Sequence, residues 1–576
     1  PEGWLLDAAG VHRLMAEDVI DVASCPVIVA GRLQHIDTGT EHLKIAWRRN
    51  GNWKDRVVLR SVVAAARTIV ALADYGCPVT SNGAPTLVQY IADFEAANYA
   101  HLPLQKVSEH FGWQGDNGSA GFLWGSQAIG ADHADNIEPA TGDETTSVIF
   151  QGTDAGNDEL QDGFCAGGSL DGWIGTIATV AQLPRIMINL YASLAAPLIL
   201  VLRTRNVAID NSGETSGGKT ITLRVAGSVW GNPDETHRGS VVSKWDATRV
   251  GIERRSAAYQ NMPIILDDTK LASNRNDVAQ TLYHMSTGCG RTRGSQRGLA
   301  ATGTWQTVLI SSGEAPITSF SHDGGTRARA LQLWGSPFQA SSTEVASVAN
   351  AVNQGVMTHF GHAGPAFVEY LMANRQRWSE WQTQHRELTQ SYMDRGNDAV
   401  AARRSEHLAT ISIAAQIAHE ALNLPWEFAD PVDALWDELM ASTTEARPAV
   451  RALLYAANWA TANADRFYQM KPGSGPSAGW VGKLIGPIDG TGRDNVAQHR
   501  WCSIGFIEFQ LKQILADEGF TDYEAITRAW FDNGWLQTTS QRRKLRTRIG
   551  ADNVYVIAIT RESIEEAAEL NSEHAA

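Results

Sequence analysis

The stretch Arg205–Thr220, RNVAIDNSGETSGGKT, constrains the fold of this chain more than any other. A short apolar run of strand type, Val207 to Ile209, leads into a turn rich in glycine and small polar residues, and a helical pattern begins near Lys219. The turn matches the phosphate-loop pattern, in the required order of strand, loop and helix, with the residues Gly213, Glu214, Thr215, Ser216, Gly217, Gly218, Lys219 and Thr220. We therefore predict a phosphate-binding site where this strand ends.

Each residue type in the loop suits a bound triphosphate. Glycines allow backbone N–H groups to close around phosphate oxygens, and the N-terminus of the following helix adds positive partial charge. The Lys219 ammonium can reach the β- and γ-phosphates, and the Thr220 hydroxyl can bind magnesium. A flexible Gly/Ser turn that matches by chance is the alternative, but the flanking strand and helix favour a site for ATP and Mg²⁺.

Length, charge and cysteine content limit the remaining possibilities. A chain of 576 residues is too long for one core and predicts several domains. The formal net charge of −15 means that contacts with DNA must come from local basic patches. The five cysteines lack paired spacing, which favours a reducing cytoplasm. The most apolar run, Ile186–Leu202, contains Asn189 and Pro197, so we expect a buried helix and no membrane span.

Two later apolar runs end in polar side chains. The run MPIILDD ends in Asp267 and Asp268, and we expect its strand to lie beside the phosphate-loop strand. Asp267 would then hold magnesium through water, and Asp268 would orient and deprotonate the attacking water. An Asp-Asp turn that merely ends a strand is the alternative. The next run, TVLISSGE, ends where ring-forming ATPases place a γ-phosphate sensor, for which Ser311, Ser312 and Glu314 are the candidates.

Arginines occur at two positions that suit a ring. Arg327 and Arg329 precede the apolar run Ala330–Trp334, and an arginine there would reach the neighbouring subunit's nucleotide. We prefer Arg329, with surface arginines as the alternative. The glycine-rich loop Gly288–Gly298 carries three arginines and no acid, which predicts a pore loop that grips a phosphate backbone: Arg291, Arg293 and Arg297. Solvated loop arginines are the alternative reading of this loop.

The pattern along the chain predicts four domains and a linker: an α+β domain at 1–182, an ATPase core at 183–340, a helical region at 341–470, a linker at 471–479 and a winged helix at 480–576. In the last domain, Ile504–Glu518 and Asp522–Asn533 have helical patterns. A basic turn before the strand Val554–Ile559 would form the tip of a hairpin that binds DNA, with the residues Arg542, Arg543 and Lys544. Protein docking is the alternative role for a winged helix.

The order of these motifs resembles the family known as domain of unknown function 927, which is similar to the minichromosome-maintenance-like, self-loading replicative helicases of mobile elements. The matching stretches are GETSGGKT, SVWGNPDE, KWDATRVGIE, MPIILDDTK, TWQTVLISSGE, ARALQLW and GHAGPAFVEYL. The resemblance implies a six-membered AAA+ ring that moves along single-stranded DNA and unwinds forked DNA, with a primase or replication initiator as partner. Family members usually have Glu where Asp268 stands, and the usual Asn of the γ-phosphate sensor is absent here.

We therefore expect a multidomain α/β protein whose P-loop AAA+ core is a parallel sheet between helices. Its expected function is that of a cytoplasmic, hexameric, ATP-dependent DNA helicase that serves replication of a mobile genetic element. One rival is an ATP-controlled DNA-binding switch without unwinding activity, as in transposition or defence. A metabolite kinase that uses the same phosphate loop is the third possibility.

Overall fold

The computed structural model describes residues 1–572 except 17, 131–147, 153–154, 215–216, 273, 293, 296–297, 300–301, 321–328, 339–342, 397–398, 442–447, 471–475, 477–478, 487–500, 519, 521–522 and 539–541. Several predicted site residues therefore lie outside the described part of the chain, namely Thr215, Ser216, Arg293, Arg297 and the alternative finger Arg327. Most of the predicted linker 471–479 also lies outside it.

The N-terminal part is α+β. A three-stranded antiparallel sheet consists of Trp4–Leu6, Val11–Leu14 and Val19–Ala23. A five-stranded sheet has the order Val148–Phe150, Leu104–Ser108, Val27–His35, Glu41–Arg49 and Asn52–Leu59. Side chains of Val27–His35 alternate between buried and half-buried, as expected for a strand covered on one face. Helix Ala84–Asn98 packs on this sheet, where the Tyr90 hydroxyl donates to the Val27 carbonyl at 2.8 Å.

A small antiparallel sheet joins this part to the region of the parallel sheet. Its strands are Gly112–Trp113, Phe122–Trp124 and Gln127–Ile129. The indole N–H of Trp113 donates to the Pro197 carbonyl at 2.9 Å, and that of Trp124 to the Trp230 carbonyl at 2.7 Å. Residues from Phe111 onwards therefore share one hydrophobic core with the following region, although the sequence places a domain boundary at 182.

The middle of the chain forms a five-stranded, fully parallel sheet. Its order is Val242–Lys244 (outer strand), Ile264–Asp267 (carboxylate strand), Val308–Gly313 (central strand), Val207–Ser212 (phosphate-loop strand) and Ala330–Trp334 (edge strand). The phosphate-loop strand is buried along its whole length, as is typical of a parallel strand with helices on both faces. The prediction of a multidomain α/β protein with a parallel sheet is confirmed.

One sequence expectation about this sheet is wrong. The carboxylate strand does not lie beside the phosphate-loop strand, because the central strand pairs with both and separates them. Crossover connections join parallel strands, so order along the chain does not fix order in the sheet. Because the central strand lies between the other two strands, it ends between the phosphate loop and the acids of the carboxylate strand.

Helices surround the sheet and continue into the predicted helical region. Their bounds are Ala155–Gly163, Leu170–Ala178, Pro184–Ala195, Leu198–Leu202, Lys219–Ser228, Arg249–Tyr259, Arg275–Thr287, Thr343–Thr358, Ala363–Ala373, Trp378–Arg395, Ala399–Leu422, Pro431–Ala434 and Trp436–Ala441. The apolar run Ile186–Leu202 is buried as expected, but it forms two helices that separate at Pro197, whose ring nitrogen has no proton to donate. No helix in the described part of the chain is both long and apolar enough to cross a membrane.

The C-terminal unit is a five-stranded sheet packed against helices. The strand order is Phe467–Tyr468, Gly482–Ile485, Ser503–Ile507, Asp552–Thr560 and Leu545–Ile549. The helices are Pro448–Ala462, Glu508–Asp517, Tyr523–Asp532 and Arg561–Ser572. Helix Pro448–Ala462 belongs to this hydrophobic core, although the sequence boundary groups it with the helical region.

Two local predictions in this unit are wrong. Residues Ser503–Ile507 form a strand and the helix begins only at Glu508, because this segment pairs with a strand on each side. Glycine suits position 505 in this strand, because the β-carbon of any other residue would clash with the Ile485 side chain at 2.8 Å. The turn of the last hairpin is at Gly550, so Arg542, Arg543 and Lys544 precede its first strand, Leu545–Ile549, and do not form its tip.

Candidate functional site

The candidate site lies at the carboxyl edge of the parallel sheet, where three strands end side by side. The phosphate-loop strand ends at Ser212, the central strand at Gly313 and the carboxylate strand at Asp267. Parallel strands expose their carboxyl ends at one edge, and ligands of such sheets bind there. The structure therefore brings together the loop Gly213–Thr220, Asp267, Asp268 and Ser312.

Close packing explains the glycines of the phosphate loop. Gly213 has φ of 152°, and a β-carbon there would lie 3.1 Å from the backbone of Gly335. Gly218 has φ of 86°, and a β-carbon there would lie 2.6 Å from the Phe338 ring. Only glycine meets both conditions without displacing the neighbouring segment. The backbone at Gly213 and Gly218 is therefore fixed by the segment Gly335–Phe338 that packs against it.

The Lys219 side chain curls back over this loop. Its ammonium donates to the carbonyl oxygens of Gly213 at 2.9 Å and Glu214 at 2.6 Å. The ammonium thus places a positive charge beside the first two residues after the phosphate-loop strand. Ser336 closes the other side, because its hydroxyl donates to the Gly217 carbonyl at 3.0 Å.

Hydrogen bonds connect the loop to both other strands. The Thr220 hydroxyl donates to Oδ2 of Asp267 at 3.1 Å, and the Ser312 hydroxyl donates to Oδ1 of the same carboxylate. The Ser312 oxygen also accepts from the Asp268 N–H at 3.2 Å. A hydroxyl and a carboxylate oxygen are hard donors of the type that Mg²⁺ prefers, so Thr220 and Asp267 fit a magnesium ion beside bound phosphates.

Asp268 has an unusual backbone conformation. It has φ of 59° and ψ of 85°, and its Oδ1 accepts from the Lys270 N–H at 3.1 Å. Left-handed conformations of residues other than glycine cost free energy and cluster at functional sites. The turn leaves Asp268 half-buried, directly after the end of the carboxylate strand.

Of the three sensor candidates, only Ser312 contacts Asp267 in the structure. The Ser311 hydroxyl accepts from the indole N–H of Trp245 at 3.1 Å, on the other face of the strand. Glu314 forms an ion pair with Lys270 at 3.1 Å. The geometry therefore favours Ser312 among the three candidates, and its role as a γ-phosphate sensor stays a prediction.

Sequence reasoning missed several residues around the loop. Arg185 donates to the Ser336 carbonyl at 3.2 Å and pairs with Glu438 at 3.0 Å. No sequence signal relates Arg185 to Glu438, which lies 253 positions later. Ser336 and Phe338 could have been found, because they follow a predicted strand that ends at the same sheet edge.

Asp210 is another residue that the sequence did not single out. It is fully buried in the phosphate-loop strand, and burial raises the pKa of its carboxyl to about 6. Hydrogen bonds from the Ser212 hydroxyl and from the Ile317 N–H, the latter at 2.9 Å, lower this pKa in part. Asp210 thus connects the strand before the loop to the segment after the central strand.

The structure places Arg329 away from this site. Ala330 pairs with Ala208, so Arg329 lies at the amino edge of the sheet, whereas the loop follows the carboxyl edge. Its guanidinium lies 4.9 Å from the centroid of the Tyr283 ring and donates to the Ser286 hydroxyl at 3.3 Å. At about 3.3 Å per residue, the strand between the two edges spans roughly 20 Å. Arg329 therefore does not reach the loop of its own chain.

The predicted pore loop is a hairpin, and the structure describes only part of it. Strands Gly294–Ser295 and Gly298–Leu299 pair, and Cys289 pairs with Thr304 at the base. Arg291 is exposed. Arg293 and Arg297 lie outside the described residues.

The three basic residues of the C-terminal unit differ in their environment. Arg543 pairs with Glu524 at 2.8 Å, and Lys544 pairs with Glu508 at 2.7 Å. Arg542 is exposed and has no ion-pair partner in the described part of the chain. A DNA contact of these residues stays a prediction, and the geometry favours Arg542.

Comparison with known proteins agrees with this architecture. A solved structure described as SCCmec type IV Cch, an active helicase, matches with a TM-score of 0.67 and 19% identity over 99% of each chain. This likeness shows a shared fold. No curated protein matches the chain.

Two family models match parts of the chain. Residues 449–562 match the Cch helix turn helix domain, which agrees with the core that contains helix Pro448–Ala462. The other model matches residues 7–305, a range that includes the phosphate loop and the carboxylate strand. Because this match covers more than half of the sequence, the chain belongs to the family described as Domain of unknown function (DUF927).

Proposed function

We propose that this protein is a ring-forming, ATP-hydrolysing DNA helicase or translocase that acts in the replication of a mobile genetic element. The observation that carries the proposal is the hydrogen-bonded set of Thr220, Asp267 and Ser312 directly beside a phosphate loop. Together with the phosphate loop and the second carboxyl, that of Asp268, these oxygen donors are the parts that hydrolysis of ATP requires.

Each residue has a defined task in hydrolysis. The Lys219 ammonium moves from the loop carbonyls to the β- and γ-phosphates, and the loop N–H groups bind the same oxygens. Thr220 and, through water, Asp267 would hold Mg²⁺, which when bound would supply positive charge beside those phosphates. Asp268 orients the attacking water and accepts its proton, and Ser312 fixes the carboxylate of Asp267. The left-handed turn at Asp268 fixes the position of a side chain that is shorter than the usual Glu of the family.

The ring is supported by the position of Arg329. An arginine at the amino edge of the sheet does not serve its own nucleotide, but it can complete that of a neighbouring subunit. A positive charge of this kind stabilises the transition state of phosphoryl transfer and typically raises its rate by about 10³ to 10⁵. Stacking on Tyr283 holds the guanidinium in place until the neighbour arrives.

The DNA part of the proposal rests on three features. Exposed Arg291 begins a glycine-rich hairpin with no acid in its sequence. A helix-turn-helix model matches the C-terminal unit. The protein with the same fold is described as an active helicase. ATP hydrolysis would move the hairpin along one strand, and the C-terminal unit would guide loading.

An assay with matched variants tests this proposal. Lys219→Ala should remove both ATP hydrolysis and ATP-dependent unwinding of a forked DNA, because the phosphates lose their main cation. Lys54→Ala, in an exposed position of an N-terminal strand, should leave both activities unchanged. Hydrolysis by the wild type without strand displacement would instead favour an ATP-controlled DNA-binding switch. Hydrolysis that does not respond to DNA would favour a small-molecule kinase.

A further inference from the structure

A second basic site lies on the helical side of the ATPase region. A pocket of about 760 Å³ opens between the loop after helix Leu198–Leu202 and the helices Trp378–Arg395 and Ala399–Leu422. Its lining includes four arginines and one acid: Arg203, Arg205, Arg386, Arg403 and Glu406. This excess of positive charge is unexpected in a chain with a formal net charge of −15.

Glu406, the one acid in the lining, already binds the loop after helix Leu198–Leu202. Glu406 accepts from the Thr204 hydroxyl at 2.8 Å and from the Arg205 N–H at 3.2 Å. It also forms an ion pair with the Arg205 guanidinium at 3.7 Å. In the described part of the chain, no carboxylate lies within ion-pair distance of the three other arginines in the lining. These three arginines are exposed, and the Arg386 guanidinium donates only within its own helix, to the Gln382 carbonyl at 3.3 Å and to the Thr383 hydroxyl at 3.0 Å, among the contacts of the described residues.

The histidines near the pocket do not add to its charge. Burial lowers the pKa of His385, which lines the pocket. Burial also lowers the pKa of His407, where Arg205 and Arg404 add to the effect and Glu406 opposes it. Both imidazoles are therefore neutral near pH 7, and the positive potential comes from guanidinium groups that stay charged at all relevant pH values.

The pocket continues towards the basic hairpin. Arg205 also lines a second cavity of about 530 Å³, whose wall includes Gly288 and Thr304 at the base of the hairpin. Arg205 thus belongs to the walls of both cavities, of which one reaches the base of the hairpin and the other contains Arg386. An extended polyanion can contact both cavities at once, whereas a single phosphate is too small to do so.

We propose that this basic pocket binds the phosphate backbone of single-stranded DNA and extends the contact that the hairpin begins. The inference rests on the proposed action on DNA. Guanidinium groups bind phosphate oxygens through paired N–H donors, and each neutralised phosphate releases counterions. Several weak, solvent-exposed contacts then add up to an affinity that depends steeply on salt.

A double variant tests the pocket in the full-length protein. Arg386→Gln with Arg403→Gln removes two charges from exposed helix positions, so folding should be preserved. Fluorescence anisotropy with a labelled oligothymidylate, between about 50 and 200 mM salt, should show a Kd raised by roughly tenfold or more at the lower salt and a slope of log K against log salt reduced by about 1.4. A matched control, Lys54→Gln with Arg67→Gln, changes the net charge equally on the N-terminal part and should bind like the wild type.

The outcomes separate this inference from the function on which it rests. If the wild type does not bind the oligothymidylate at all, the proposed action on DNA fails, and the pocket's role fails with it. If Arg291→Gln weakens binding while the pocket variant matches its control, only the pocket inference is overturned. If the pocket variant keeps its affinity for DNA but loses affinity for inorganic tripolyphosphate, the pocket holds a free polyphosphate and the strand assignment is wrong.

Discussion

Ser312 and Thr220 donate hydrogen bonds to the two different oxygens of the Asp267 carboxylate, from the central strand and from the start of the helix after the phosphate loop. The carboxylate therefore has a single orientation, which depends on both neighbours. Because the Ser312 oxygen also accepts from the Asp268 N–H, one serine positions both acids of the site. A change at the end of the central strand should thus alter catalysis more than nucleotide binding.

We expect Ser312→Ala to lower kcat for ATP hydrolysis by roughly ten- to a hundredfold, since a hydrogen bond to a charged group contributes about 1.5–3 kcal/mol. The Kd for ATP should change little, because the loop itself stays intact. Steady-state hydrolysis and equilibrium binding measure the two effects. Ser311→Ala is the matched control, since the Ser311 hydroxyl contacts Trp245 and the buried Asp210 and not Asp267. Equal kcat values for the two variants would contradict this role of Ser312.

Gly218→Ala should remove ATP binding and lower stability. The backbone at Gly218 is left-handed, and the added methyl group would lie 2.6 Å from the Phe338 ring. Overpacking of this kind typically costs about 1–3 kcal/mol. The comparison is Gly175→Ala within helix Leu170–Ala178, where the added β-carbon would meet no atom within 4 Å. This substitution should raise the free energy of unfolding by about 0.5–1 kcal/mol. Calorimetric Tm values with and without ATP test both predictions, and a Gly218→Ala protein that still binds ATP would contradict the first.

Asp210 should make the stability of the protein depend on pH. Its pKa is raised to about 6 in the folded chain, so the folded state retains a proton that the unfolded state loses near pH 4. Stability is therefore greatest below the ordinary pKa and falls as the pH rises towards 6, by up to about 3 kcal/mol in total. Asp210→Asn cannot ionise and should lack this loss.

The difference in Tm between Asp210→Asn and the wild type should thus increase in favour of the variant from about pH 4.5 to 7. Other titrating groups are common to both proteins and cancel in the difference. A Tm difference that does not change over this pH range would mean that Asp210 stays ionised throughout.

The basic residues of the C-terminal unit should contribute unequally to DNA binding. Arg542→Ala should weaken binding to a duplex and reduce the salt dependence of log K by about 1, as for a lost phosphate contact. Lys544→Ala should have a smaller effect, since Glu508 already neutralises Lys544. Anisotropy titrations at several salt concentrations measure this order. A larger loss for Lys544→Ala would show that its ion pair opens on DNA.

Local pattern was sufficient to predict the parts of the site that lie close together in sequence. Lys219 and Thr220 follow from one motif, and Asp267 from an apolar strand that ends in acids. The order of strands in the sheet could not be predicted, because pairing between distant segments decides it. The strand Ser503–Ile507 illustrates the same limit, since two partner strands override a helical pattern.

The sequence also could not predict the environment of a side chain where residues far away along the chain determine it. The raised pKa of Asp210 depends on burial by several elements, and the ion pairs of Arg543 and Lys544 depend on acids from two helices. The basic pocket combines arginines as far apart along the chain as Arg203 and Arg403. Only the fold brings such groups together.

The trans role of Arg329 can be tested by mixing two inactive proteins. Arg329→Ala should bind ATP but hydrolyse it about 10³-fold more slowly, and Lys219→Ala should fail to bind the phosphates. In a mixed ring, an intact loop of the first variant meets the intact Arg329 of the second. If interfaces form at random, about a quarter of the sites in an equimolar mixture regain both groups. Hydrolysis should therefore return on mixing to about that fraction of the wild-type rate. Each subunit of such a ring presents its arginine at one edge of the sheet and its phosphate loop at the other, so a mixture that stays inactive would remove the basis for placing the nucleotide between subunits.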